Sequence, residues 1–288
     1  MKKHTTYLFL IITLLACSSK TASHEKTNPE SSLLWEVTGN GLTKPSYLFG
    51  TIHLIQKQDF FLPEGTKTAL ENSDVVVLEI NPNVSIKVQM SMAQKMILPG
   101  GKSVADYMNT DDYKAFKTLC IDSIGLSESK FERYSKIKPF FLMGILLKEY
   151  YGKIESYEQY FYKLTDKKDK EFYALESIEF QLSVVDSFSI EEQFEELEAE
   201  KFLSEFERLM DSYKSQDLNR ILELLEETEW DSETELHMLV NRNKDWAEQL
   251  DTLMQQKSHF VAVGTAHLPG EYGLIKMLED KGYRVRPL

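Results

Sequence analysis

The chain is predicted to fold as an α/β protein, on three observations. Apolar, strand-like runs cluster near both ends, the same Gly-Thr-x-His-Leu word follows a run at each end, and the stretch between has helical periodicity. The expectation is a central sheet built from two similar strand-GxxH-helix-strand half-units, N- and C-terminal, with a large helical insertion between them.

The first residues stand apart from that fold. Residues 1–16, "MKKHTTYLFLIITLLA", join a basic start at Lys2 and Lys3 to an apolar stretch from Tyr7 to Ala16, the pattern of a secretory signal peptide. Leu14-Leu15-Ala16-Cys17 resembles the bacterial lipobox, which implies cleavage before Cys17 and lipidation of that cysteine. The protein is then expected as an exported lipoprotein of the bacterial cell envelope, at the outer membrane or periplasmic face, held to the membrane through Cys17. Residues 17–32 form the lipidated cysteine and a polar tether, "SSKTASHEKTNPESS" after Cys17, too hydrophilic to bury a core. Residues 33–288 remain as the folded domain.

Residues 1–16 contain two lysines and no acids, so the net charge of -13 becomes -15 on their removal. Phosphate backbones are repelled at that charge, and no nucleic-acid partner is expected. Cys120 is then the one thiol beyond the anchor, which excludes an internal disulfide. It sits in "YKAFKTLCI", an amphipathic helical pattern, and reads as a core residue.

Within the domain the elements follow in order. "LLWEVTGNGLTKPSYLFGTIHL" has two β-rich runs around Gly-Asn-Gly and Lys-Pro-Ser, which predicts a hairpin. "PEGTKTALENS" has helical spacing, and "DVVVLEI" is a continuous apolar strand of the kind buried on both faces. The order recurs near the end: "HFVAVGTAHL" as strand, "PGEYGLIKMLEDKG" as loop and helix closed by Gly282, and "YRVRPL" as strand. These segments give an α/β core of residues 33–82 and 256–288. The helical insert runs over about 83–255, broken at Pro99-Gly100-Gly101, Lys138-Pro139 and Gly152. Ile190, Phe194, Leu197, Phe202, Phe206, Leu209 and Tyr213 are predicted to line one helical face, with the glutamates opposite forming a solvated surface, not a calcium site.

Several polar residues break their local pattern. Glu79 closes the run Val75-Val76-Val77-Leu78, where an ionised carboxylate needs a cation, a metal or a donor. His53 and His267 follow their strands, at the strand ends where open α/β sheets bind ligands. The glycine three residues before each histidine lets the backbone turn closely. His237 and His259 carry no such word and read as hydrogen-bonded structural residues. Two imidazoles and a carboxylate match the donors of open zinc sites and of two-histidine, one-carboxylate sites, although no His-Glu-x-x-His helix is present. The same groups could act without metal, one histidine serving as general base and Glu79 orienting it. They could also capture a peptide, a metal or haem without catalysis, or be structural. In "ETELHMLVNRNKDWAEQL", Asn243 occupies the apolar helical stripe and Arg242 beside it offers a forked donor. Glu176, in "YALESIEFQL", precedes a helix carrying Phe180, Leu182 and Val185 and is a further candidate.

Taken together, "SYLFGTIHL", "SDVVVLEI", "LPGGKSVADYM", "KIKPFFL", "ALESIEFQL", "VNRNKDWAEQL" and "FVAVGTAHLPGEYGLIKMLEDKGYRVRPL" resemble the TraB/GumN family (TraB/PrgY/GumN), to which the Tiki-type metalloproteases are related. The resemblance implies an α/β core with a helical insert. Through the Tiki-type members it implies a hydrolase that cleaves peptides or proteins with a divalent metal such as manganese or cobalt, zinc being added by the donor set above. His53 and His267 then match the paired motif histidines, Glu79 the acidic residue after the second strand, and Arg242-Asn243 the family's Arg-Asn pair. One departure lies at Ser156-Tyr157-Glu158, where relatives carry Gly and Asp before an aromatic, and no role is carried over to that segment. Oligomeric state is not implied.

Overall fold

The computed structural model describes residues 32–168, 170–195, 197, 199, 201–227 and 236–288. The expected signal segment, Cys17 and all of the tether except Ser32 lie outside the described residues. Among those described, no helix is long and apolar enough to cross a membrane.

The fold is mixed α/β. In chain order the elements are β1 (Leu34–Gly39), β2 (Ser46–Thr51), β3 (Ile55–Gln56), α1 (Thr66–Asn72), β4 (Val75–Leu78), α2 (Ile86–Lys95), α3 (Thr110–Thr118), α4 (Glu128–Tyr134), α5 (Pro139–Tyr151) and β5 (Ile154–Glu155). There follow α6 (Tyr157–Lys168), β6 (Glu171–Ala174), α7 (Ile178–Asp186), α8 (Ile190–Glu195), α9 (Phe202–Lys214), α10 (Leu218–Glu227), α11 (Asn241–Met254), β7 (His259–Gly264), α12 (Leu274–Asp280) and β8 (Tyr283–Pro287). The chain divides into two compact units: residues 83–154 with 185–205, and the remaining segments, 155–184 and 206–288 with the described residues up to 82.

The second unit contains a six-stranded sheet in the order β6-β4-β7-β2-β1-β8. The predicted hairpin is present, with Leu34 opposite Phe49 and Val37 opposite Ser46. β1 also pairs antiparallel with β8, whereas β2-β7, β7-β4 and β4-β6 are parallel pairs. β1 therefore runs against the other five. Every residue of β2, β4 and β7 is buried, as their unbroken apolar runs require of strands covered on both faces. Phe49 anchors one covering layer, its ring 5.6 Å from Tyr157, 5.2 Å from Phe161 and 5.9 Å from Phe260.

The connections give the sheet its functional edge. From β2 the chain crosses by α1 to β4, on one side; from β7 it crosses by α12 to β8, on the other. Neighbouring parallel strands whose connections leave in opposite directions along the sheet mark, beyond their C-terminal ends, a topological switch point of an open α/β sheet. Both Gly-Thr-x-His words lie there. They enter one residue out of step, since Thr51 faces Gly264 and Gly50 faces Val263.

The stretch read as helical almost throughout differs from that expectation. It supplies β6, an edge strand of the sheet, and α6, α10 and α11 belong to the sheet-containing unit. β6 has only four residues, none of them buried, too short a run to display a strand period. The long stripe from Ile190 is divided between α8 and α9. Phe194, Leu197, Phe202, Leu209 and Tyr213 are buried, while Ile190 and Phe206 are only half-buried. In the helical unit, Pro139 opens α5, where its missing N–H costs nothing, and Leu142 and Leu146 are fully enclosed. Cys120 is buried, and burial pushes its thiol up to about 12, consistent with a packing residue.

Candidate functional site

The repeated word is explained residue by residue at the switch point. A Cβ on Gly50 would lie 2.8 Å from Thr265 Oγ1 and 3.1 Å from Leu268 Cδ1, so only glycine lets the second word approach the first. Thr265 Oγ1 donates to the Thr51 carbonyl at 2.7 Å, and Thr51 Oγ1 donates to Glu158 Oε1 at 2.8 Å. Tyr213 OH donates to the Gly50 carbonyl at 2.9 Å. The two threonines thereby join the strand ends to each other and to α6.

Glu79 emerges from β4 into this junction, 4% exposed. Its Oε1 accepts from the Gly264 amide at 2.6 Å, and its Oε2 accepts from Arg242 Nη2 and Gln181 Nε2, each at 3.0 Å. Burial by itself disfavours its ionisation and pushes its pKa up. The charge of Arg242, the two imidazoles and the Gly264 N–H outweigh that, leaving the carboxyl below its ordinary range. Arg242, at the start of α11, also grips Glu176 with two bonds, Nε to Oε1 at 2.9 Å and Nη2 to Oε2 at 3.1 Å, and donates from Nη1 to the Met238 carbonyl at 3.0 Å. Burial dominates at Glu176 and raises its carboxyl despite the guanidinium.

His267 is held from the next residue of the same helix. Its Nδ1 lies 2.6 Å from Asn243 Oδ1, while Asn243 Nδ2 donates to the Tyr272 carbonyl at 2.7 Å. The buried amide thus has both ends satisfied, as its place on an apolar stripe demands. An amide oxygen only accepts, so Nδ1 carries the proton and Nε2 keeps its lone pair. The Trp246 ring packs 4.4 Å from the His267 ring and 4.7 Å from the Arg242 guanidinium. Burial, with Arg242 nearby, pulls the His267 imidazole down to about 3, so it is neutral.

His53 faces a different partner. Its Nδ1 lies 3.3 Å from Glu158 Oε1, and its side chain is 20% exposed against 4% for Glu158. Burial disfavours the imidazolium, but the bond and the charge of Glu158 outweigh it and raise His53 above its ordinary value. Burial likewise opposes ionisation of Glu158, and His53 with Ser156 outweighs it, so this carboxyl is lowered.

The three side chains singled out in the sequence converge beside Gly264. A Cβ there would lie 3.1 Å from Glu79 Oε1, 3.5 Å from His267 Cδ2 and 3.8 Å from His53 Nε2. Arg242, Asn243 and Glu176 are connected to this cluster, whereas His259 is tied at Nδ1 to the Lys257 carbonyl. Sequence reasoning missed Glu158, Gln181 and Trp246. The departure at Ser156-Tyr157-Glu158 was the available signal for Glu158. Two neutral-capable imidazoles with free Nε2 atoms suit a divalent cation. Glu79 has one Oε1 lone pair beyond the Gly264 amide, its Oε2 being fully used. Among the described residues, no group of three or more His, Cys, Asp or Glu side chains is arranged to hold a metal ion, so donor fit rests on the imidazole pair.

Fold and site together define an α/β protein with a buried imidazole-carboxylate cluster at a sheet switch point. The chain belongs to the TraB/PrgY/gumN family, whose pattern matches residues 33–287. It is similar to Metalloprotease TIKI2 of Danio rerio, at 22% identity covering 88% of this chain and 60% of that protein. Metalloprotease TIKI2 of Xenopus tropicalis is 23% identical, covering 88% and 59%. Metalloprotease TIKI1 of Xenopus tropicalis is 28% identical over 33% of the chain and 18% of its own length. The chain therefore spans about 60% of the length of the TIKI2 relatives. No solved structure matches it.

Proposed function

We propose that this chain is a peptidase-like hydrolase that depends on a divalent metal, exported to the bacterial cell envelope and anchored through lipid on Cys17. The observation carrying the chemistry is the pair of imidazoles whose Nδ1 atoms are engaged by Glu158 and Asn243 while both rings and the Glu79 carboxylate border Gly264. The similarity to the TIKI metalloproteases supports peptide amides as substrates. The sequence of residues 1–17 is the ground for the anchor.

His53 and His267 would hold the metal through Nε2, and the remaining Oε1 lone pair of Glu79 would have to be turned onto the ion to serve as a third donor. A bound manganese, cobalt or zinc ion supplies a polarised amide carbonyl and a water acidic enough to attack near neutral pH. Arg242 keeps Glu79 ionised and oriented, Asn243 fixes the His267 tautomer, and Glu176 balances the second edge of the guanidinium. Calorimetric titration of residues 33–288, with His53→Ala and His267→Ala as comparisons, tests this. Metal binding lost in both variants supports it, and binding unaffected by either removes it.

A second reading has its own observation. His53 is held towards its charged form by Glu158 while burial keeps His267 neutral, and such a divided pair supplies an acid and a base without metal. Peptide cleavage that survives exhaustive chelation selects this version.

A further inference from the structure

The Glu158 carboxylate is held from three directions, all within the sheet-containing unit. Thr51 Oγ1 lies 2.8 Å from Oε1, Ser156 Oγ lies 2.6 Å from Oε2, and His53 Nδ1 lies 3.3 Å from Oε1. Glu158 itself is 3% exposed, and Ser156, which also accepts from the Gln159 amide at 3.3 Å, is 7% exposed. A buried carboxylate held this way has little rotamer freedom left. It presents one oxygen to the imidazole at a fixed place on α6.

We propose that Glu158, clamped by Thr51 and Ser156, is the positioning residue of His53: it holds the proton on Nδ1 and turns Nε2 towards Glu79 and Gly264. The reasoning is a donor count. A carboxylate only accepts, so an imidazole nitrogen beside it must donate, and in the neutral ring the opposite nitrogen is then the one with a lone pair. The same carboxylate-imidazole pairing orients metal-bound histidines and raises their basicity, and removing it typically lowers metal affinity about 10- to 100-fold. Asn243 performs the matching task for His267 with a neutral oxygen. The two imidazoles therefore differ in what stands behind them, an anion for His53 and an amide for His267, so His53 is the stronger donor. Thr51 belongs to the first Gly-Thr-x-His word. It supplies the hydroxyl that fixes Glu158, and the word thus carries a histidine together with part of that histidine's mount.

This inference rests on the proposed role of His53, and the experiment separates the two. Two-bond proton-nitrogen NMR spectra of histidine-labelled protein without metal, recorded at a pH where His53 is neutral, report which ring nitrogen of His53 is protonated. Wild type is expected to show the Nδ1-H form, Glu158→Ala a shift towards Nε2-H, and Ser156→Ala, which keeps the His53 contact, a smaller shift with unchanged far-ultraviolet circular dichroism. A wild-type tautomer in both variants overturns the positioning role, whether or not metal binds. Cobalt titration then addresses the dependence: Glu158→Ala is expected to weaken binding at least 10-fold. Loss of the tautomer with unchanged cobalt affinity keeps Glu158 as the positioning residue and overturns its effect on a metal.

Discussion

His267 and Asn243 meet across 24 residues of sequence, with Nδ1 of one 2.6 Å from Oδ1 of the other. Because Asn243 also reaches the Tyr272 carbonyl, it joins the strand end and the loop that follows it. Asn243→Ala leaves the buried His267 Nδ1 donor and the part-buried Tyr272 carbonyl unpaired. The expected loss is about 1–3 kcal/mol of stability for the buried donor, read by urea denaturation. Asn243→Asp retains an acceptor for His267 and should preserve its tautomer, although the bond to Tyr272 is lost.

Arg242 is the cation between Glu79 and Glu176. Its replacement by methionine strands two buried carboxylates, and a loss of about 3–5 kcal/mol is expected. Combining Arg242→Met with Glu79→Gln should cost clearly less than the sum of the single changes, because the second change removes one stranded charge. Additive losses in that denaturation cycle would show that the pair is not coupled.

The two motif glycines should respond differently to alanine. At Gly50 the new methyl collides with Thr265, just past the end of β7, so a lowered melting temperature is expected. Gly264 has ordinary backbone angles, φ -51 and ψ 134, and its methyl would enter the space between Glu79 and the histidines. Gly264→Ala is expected to lose metal binding by calorimetry with a much smaller change in melting temperature.

The two histidines impose opposite pH dependences on stability. His267 has a folded value of about 3, below the ordinary imidazole value of about 6.5, so the unfolded chain binds more protons between those limits. Its contribution is fully present above the unfolded value and is lost as pH falls towards 3. His53 is raised; its contribution is present below the unfolded value and is lost as pH rises through the folded one. Urea midpoints from pH 4 to 8 should therefore fall less steeply on the acid side in His267→Gln and rise relative to wild type on the alkaline side in His53→Gln.

Much of the sheet could be read from the chain because β2, β4 and β7 are buried on both faces and keep unbroken apolar runs. Glu79 and Asn243 drew notice as polar residues in apolar settings, and their surroundings supply the partners such positions need. β6 left no legible period because it has four residues, two exposed and two half-buried. Glu158 sits in the first turn of α6, where an acid is ordinarily exposed and favoured by the helix dipole. Its burial comes from Thr51, 107 residues away, a contact that local pattern does not contain. Gln181 was hidden in the same way, since its partner Glu79 is 102 residues distant.

β7 lies between β2 and β4 in the sheet yet is the seventh strand of the chain. During synthesis the hairpin and β4 wait, without their common neighbour, until nearly all the intervening sequence has been made. Gly264 and His267 arrive with that strand, so the cluster cannot assemble on a partial chain. Assembly of the cluster is thereby deferred until the sheet closes, a built-in delay between translation and a complete site.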